Sequence, residues 1–130
     1  MNQRTNFGGI PHGEQTPMLA RAVRWGDLLF LSGRVALSPD TGAPVSSEFD
    51  EQARFVLDDV LDVLDEAGSG PEHALRVMCY LADRTHFAAW NRIYAEYFPS
   101  PRPARTTLVA GFVLPGLLLE VEVTAGVPLP

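Results

Sequence analysis

Between Pro103 and Val123 runs PARTTLVAGFVLPGLLLEVEV, a β-branched and apolar stretch whose charges are Arg105, Glu120 and Glu122. A charge in such a run is costly to bury without a partner, so each needs a reason. The planar guanidinium of Arg105 matches a carboxylate through two parallel hydrogen bonds, which makes it a candidate anchor for a small carboxylate ligand. An internal salt bridge is the competing reading in a chain with 16 acidic residues. Glu120 and Glu122 alternate with apolar neighbours and should share one face of a strand. That face is either a charged, solvent-exposed edge or the wall of a cleft, and spacing does not choose between the two glutamates. Asn91 lies four residues after Phe87 and three before Tyr94, inside an apolar stripe. A buried amide without partners costs about 1–3 kcal/mol, so Asn91 either ties down a loop backbone or braces a site wall. Cys79 alternates with Leu75, Val77 and Leu81 and reads as a small buried hydrophobe. Ser32-Gly33 lacks the Gly-x-Ser-x-Gly pattern of a nucleophile elbow.

These residues need a scaffold, and the chain spells one out. The first 17 residues hold Gly8, Gly9, Pro11, Gly13 and Pro17 and predict an irregular arm. MLARAVRWGDLLFLSGRVAL predicts two strands about a turn at Trp25-Gly26-Asp27, with Leu28 to Leu31 buried on both faces. The turn formers from Ser38 to Ser47 predict a loop. FDEQARFVLDDVLDVLDEAG predicts a helix with Ala53, Val56, Leu57, Val60, Leu61, Leu64 and Ala67 along one stripe. Ser47 with Asp50 resembles a capping box, Gly68 is a natural stop, and Asp58, Asp59, Asp62 and Asp65 fall on the solvated side. ALRVMCYLA predicts a strand with Leu75, Val77, Cys79 and Leu81 on one face. RTHFAAWNRIYAEYF predicts a second helix, with Phe87, Trp90, Tyr94 and Phe98 as its stripe. Ala104–Val113 and Leu117–Ala125 predict two closing strands joined at Leu114-Pro115-Gly116. The order is ββαβαββ, an α+β pattern in which two helices cover one face of a mixed sheet.

The bulk numbers narrow the function. The 130 residues predict one domain, and 46% hydrophobic with 20% charged residues describes a globular protein. A formal charge of −6, with every basic residue an arginine and no lysine, argues against nucleic-acid and membrane-surface partners. One cysteine precludes an internal disulfide and suits a cytoplasmic location. No apolar leader is visible, and His12, His73 and His86 lie too far apart in sequence to suggest a metal site.

In order and spacing, GDLLFLSGRVALSPDTG, EQARFVLDDVLDVLDEAG, FAAWNRIYAEYF, PARTTL and LLLEVEV resemble the RidA (YjgF/YER057c/UK114) family of enamine/imine deaminases. The resemblance covers about residues 20 to 126. It implies a chorismate-mutase-like fold, a homotrimer with ligand clefts at its subunit interfaces, and chemistry without a cofactor. It further implies that Arg105 grips the substrate carboxylate and Glu120 positions the hydrolytic water. Ser32 and Gly33 line the cleft, with Asn91 and Thr107 contributing to it. Two positions depart from the family pattern. Met18 stands where a tyrosine is usual, and Arg34 replaces the glutamine of the Ser-Gly-Gln loop. Arg34 either offers a second cation, suited to a dicarboxylic or aminomuconate-like enamine, or pairs with a nearby carboxylate. The implied activity is deamination of short enamine or imine acids. A non-catalytic module that binds small carboxylates is the competing reading, and an endoribonuclease ranks last.

Overall fold

The computed structural model describes residues 3–8 and 18–130. The strands are β1 (Arg4–Phe7), β2 (Ala22–Trp25), β3 (Leu28–Leu31), β4 (Arg34–Val35), β5 (Ala74–Leu81), β6 (Ala104–Val109) and β7 (Leu119–Gly126). The helices are α1 (Phe49–Glu66) and α2 (Phe87–Tyr97). The strands form one sheet in the order β1-β2-β3-β7-β5-β6, with β4 also paired to β7. Only β5 and β6 run parallel among these pairs, so the sheet is mixed, as expected. The ββαβαββ pattern is present with β1 and the two-residue β4 added. Arg4–Phe7 pairs with β2 where an irregular arm was expected, and residues 9–17, His12 among them, lie outside the described residues.

Alternation along the central strands decides which side of the sheet is core. Leu29, Leu31, Val77, Cys79, Leu81, Val121 and Val123 are buried with Val56, Leu57, Val60, Leu64, Trp90 and Ile93 of the two helices. Full burial of each aliphatic side chain contributes about 1.5–3 kcal/mol, so this one layer sets the fold. The other face carries no helix. Leu28 and Phe30 are exposed there, so β3 is buried on one face and not on both. Leu75 is another correction. A register shift between Ala74 and Arg76 turns Ala74 inward and leaves Leu75 half exposed.

The ends of α1 also differ from the pattern. Glu48 is the N-cap, with no side-chain cap, in place of the Ser47–Asp50 box; the Glu48 amide instead donates to Ser46 Oγ at 2.9 Å. Gly68, with φ of +82°, stops the helix as expected. Gln52 is fully buried on α1 and was not anticipated. Its Nε2 donates to the Ser46 and Gly116 carbonyls, and its Oε1 accepts from the Leu118 amide at 2.9 Å. This satisfied amide ties the start of α1 to the segment that leads into β7 and Glu120. Among the described residues, no helix is long and apolar enough to cross a membrane.

Candidate functional site

Arg105 is the second residue of β6, level with Val77 of β5, and therefore points to the helix-covered face at the sheet's edge. There it meets α2. Its Nη2 donates to Asn91 Oδ1 at 2.7 Å, and its Cζ lies 4.8 Å from the Tyr94 ring centre and 5.8 Å from that of Phe87. Residues 87, 91 and 94 are spaced to share one side of a helix, so one face of the first two turns of α2 braces the guanidinium. Both rings present a π face to the cation, which holds it without neutralising it. Arg21, Arg34, Arg54 and Arg92 each pair with a carboxylate, whereas among the described residues no carboxylate partners Arg105. The internal salt bridge considered from the sequence is not formed.

Two residues further along β6, Thr107 faces the same way, level with Cys79. Thr107 and Trp90 both lean on the Cys79 sulfur, a weak acceptor, and neither Thr107 Oγ1 nor Trp90 Nε1 makes a hydrogen bond of ordinary geometry. Burial pushes the Cys79 thiol up to about 11, against a smaller opposing pull from Arg105, so this cysteine stays a neutral core residue. Beyond Thr107 an open pocket of about 340 Å³ is lined by Leu81, Arg84, Phe87, Thr107, Leu108 and Val109.

Glu120 sits elsewhere. It is level with Tyr80 of β5, on the face without helices, as is Glu122. Alternation thus places both glutamates on one face, as the sequence suggested. The Tyr80 hydroxyl donates to Glu122 Oε1 at 2.9 Å, leaving the Glu120 carboxylate without that tie. Burial, and secondarily the charge of Glu122, raise the Glu120 pKa from its ordinary value. Gly33 lies against this carboxylate so closely that a β-carbon there would fall 2.9 Å from Glu120 Cδ. Ser32, next to it, donates its hydroxyl to the Ala20 carbonyl at 2.6 Å. Met18 is two residues upstream of that carbonyl and 97% exposed, with its thioether in solvent.

Arg34 points the other way. It is level with Val121, faces the helices, and its Nε donates to Asp59 Oδ2 at 2.6 Å. Of its two readings the structure shows the carboxylate pair. Asp59, expected to be a solvated charge, is the partner.

The expected site residues therefore fall into two groups in one chain. Arg105, Asn91 and Thr107 are on the helix side of β6, while Glu120, Gly33 and Ser32 are on the far side of β7. The strands β6 and β7 flank β5, about 10 Å apart, and the sheet itself separates the two groups. The sequence reading missed Phe87 and Tyr94 as flanks of the guanidinium and Tyr80 as the partner of Glu122. The helical spacing of the first two about Asn91 was their available signal.

The α+β sheet thus carries a braced arginine without a carboxylate partner among the described residues on one side and a glutamate of raised pKa on the other. Residues 15–127 match the family described as endoribonuclease L-PSP, and the chain belongs to this family, the one that contains the RidA/YjgF proteins. A RutC family protein of Pyrococcus horikoshii is 33% identical over 106 residues, covering 82% of this chain and 84% of that protein. The chloroplastic Reactive Intermediate Deaminase A of Arabidopsis thaliana is 34% identical over 106 residues, covering 82% of this chain and 57% of the longer plant protein. Among solved structures, a YjgF family member from Neisseria meningitidis superposes with a TM-score of 0.85 at 27% identity, covering 99% of this chain and 98% of that one.

Proposed function

We propose that this protein hydrolyses short 2-imino and 2-amino-enoic acids to 2-keto acids and ammonia, without a cofactor, in a cleft that two copies of the chain complete. Membership of the family and similarity to a protein named Reactive Intermediate Deaminase A support imine deamination at the level of the family. The observation that carries the reading is Arg105, oriented by Asn91 and two rings and lacking a carboxylate partner among the described residues. The missing partner is the substrate carboxylate.

The chemistry needs little more. An enamine first takes a proton at its β-carbon to become the imine. Water then adds to C2 as the C=N bond becomes a C–N bond, with the nitrogen taking up a proton. Collapse of that adduct forms the C=O bond and expels ammonia. Glu120 orients the water and accepts its proton, a task favoured by a carboxylate of raised basicity. General acid–base assistance of this kind is worth roughly 10²–10⁴-fold.

Because Arg105 and Glu120 occupy opposite sides of the sheet, the two act together only if they come from different chains. A homotrimer with interfacial clefts meets that requirement. The helix-free face, where Trp25, Phe30 and Leu108 are each about half exposed, supplies an apolar surface for such assembly.

The test is a coupled assay that generates 2-iminopropionate and follows pyruvate release. Wild type is expected to accelerate release, and Arg105→Ala and Glu120→Ala are expected to abolish the acceleration. A non-catalytic carboxylate-binding module is the result if wild type binds 2-keto acids but leaves the imine's lifetime unchanged. The family's endoribonuclease description fits this chain poorly, since a net charge of −6 without a lysine offers little for phosphate-driven binding.

A further inference from the structure

We propose that the pocket beyond Thr107 takes a second carboxylate of the substrate, held by Arg84, so that 2-imino dicarboxylic acids with a short aliphatic spacer are preferred. The inference rests on the deaminase reading above and narrows its substrate class.

The pocket adjoins the Arg105 anchor. Phe87 lines it and also lies 5.8 Å from the Arg105 guanidinium, and Thr107 lies two residues along β6 on the same face. A ligand whose first carboxylate meets Arg105 can extend along β6 into this space. The side chains of Leu81, Phe87 and Val109 give it apolar walls that suit methylene groups, and Arg84 adds the single charge.

Arg84 is available. It belongs to the 3₁₀ turn Arg84–His86 that precedes α2, and among the described residues no carboxylate forms an ion pair with it. Its neighbour Asp83 feels the Arg84 charge but forms no ion pair with it, its Oδ1 accepting instead from the Thr85 amide at 2.8 Å. Arg34, the second cation suggested by the sequence, is tied to Asp59 on the helix side of β4. A purely apolar side chain would fill the walls and leave Arg84 unmatched. A spacer ending in a carboxylate satisfies both.

The test compares wild type with Arg84→Gln and Arg84→Lys on 2-iminoglutarate and 2-iminobutyrate, each generated in place by an amino-acid oxidase. Wild type is expected to favour the dicarboxylate in kcat/KM. Arg84→Gln should lower the dicarboxylate-to-monocarboxylate ratio by about threefold to fivefold, as befits an exposed ion pair, and Arg84→Lys should restore part of it. An unchanged ratio in Arg84→Gln overturns the proposal. Calorimetric titration with 2-oxoglutarate and 2-oxobutyrate reads the same preference without turnover. If wild type accelerates neither imine, the deaminase reading fails, and the dicarboxylate-to-monocarboxylate ratio of dissociation constants still decides the pocket: raised in Arg84→Gln it supports the proposal, unchanged it overturns it.

Discussion

Replacing Gly33 by alanine probes the placement of Glu120 with one methyl group. A β-carbon on residue 33 would lie 2.9 Å from Glu120 Cδ, 3.0 Å from Oε1 and 3.2 Å from Cγ. Ordinary carbon–carbon contact needs about 3.5–4.0 Å, so the carboxylate must retreat by at least about half an ångström. The backbone at Gly33 is outside the positive-φ region, so alanine brings no conformational strain of its own. Glu120 is a partly exposed side chain with room to rotate, so the displacement falls on the carboxylate and not on the core. A misplacement of about 1 Å can cost roughly 10²-fold in rate, which puts Gly33→Ala at about a tenfold loss in kcat. Its KM should stay within about twofold, because in the proposed cleft Arg105 holds the substrate from the opposite side of the sheet, and Tm should move by no more than ~3 °C. Imine-coupled kinetics and thermal denaturation measure all three. Unchanged kcat, or a kcat loss that only accompanies unfolding, would refute the assignment of Glu120 as the residue that places the water.

Asn91→Ala removes the 2.7 Å hydrogen bond that orients Arg105 while leaving both flanking rings, so substrate KM should rise about fivefold to tenfold with a smaller change in kcat. If KM does not respond, Asn91 does not orient the anchor. The raised pKa of Glu120 makes activity fall as pH drops through it, and Glu122→Gln should move that acid limb to lower pH by removing the lesser of its two causes. A limb that stays in place or moves up would contradict this origin. The sign for stability follows. The folded chain binds the Glu120 proton more tightly than the unfolded chain, so the stability linked to this proton is present below the unfolded value near 4.5 and lost as pH rises through the folded one. Glu120→Gln should therefore be more stable than wild type at pH 7, with the difference vanishing below about pH 4 in denaturant titrations.

The helices and central strands were legible because periodicity at 3.6 and 2 residues reports burial directly. Val77, Cys79, Val121 and Val123 fell on the core side as their alternation required. Leu75 did not, because a one-residue register shift reverses alternation without changing composition. The run Leu28 to Leu31 suggested burial on both faces, yet one side of the sheet lacks a helix layer, and an apolar residue cannot declare whether its neighbour is this chain or another copy. Gln52 was missed because its three backbone partners come from segments 6 to 66 residues away in sequence. The candidate site residues stood out as types and motifs, while their separation across the sheet did not show in the sequence. Parallel pairing of β5 with β6 and antiparallel pairing of β5 with β7 decide which face each charge takes, and those pairings are long-range. Arg34 was ambiguous for the same reason, since Asp59 lies on α1, 25 residues further on.

The claim that two chains build each active site is tested most directly by mixing inactive variants. Arg105→Ala and Glu120→Ala chains, unfolded together in equal amounts and refolded, form closed oligomers in which some clefts combine an intact Arg105 with an intact Glu120 from its neighbour. Random assembly around a ring predicts recovery of about a quarter of wild-type turnover of 2-iminopropionate, from two proteins that are each inactive alone. Mixed oligomers as inactive as their parents would place both residues in a site built by one chain, contradicting the account.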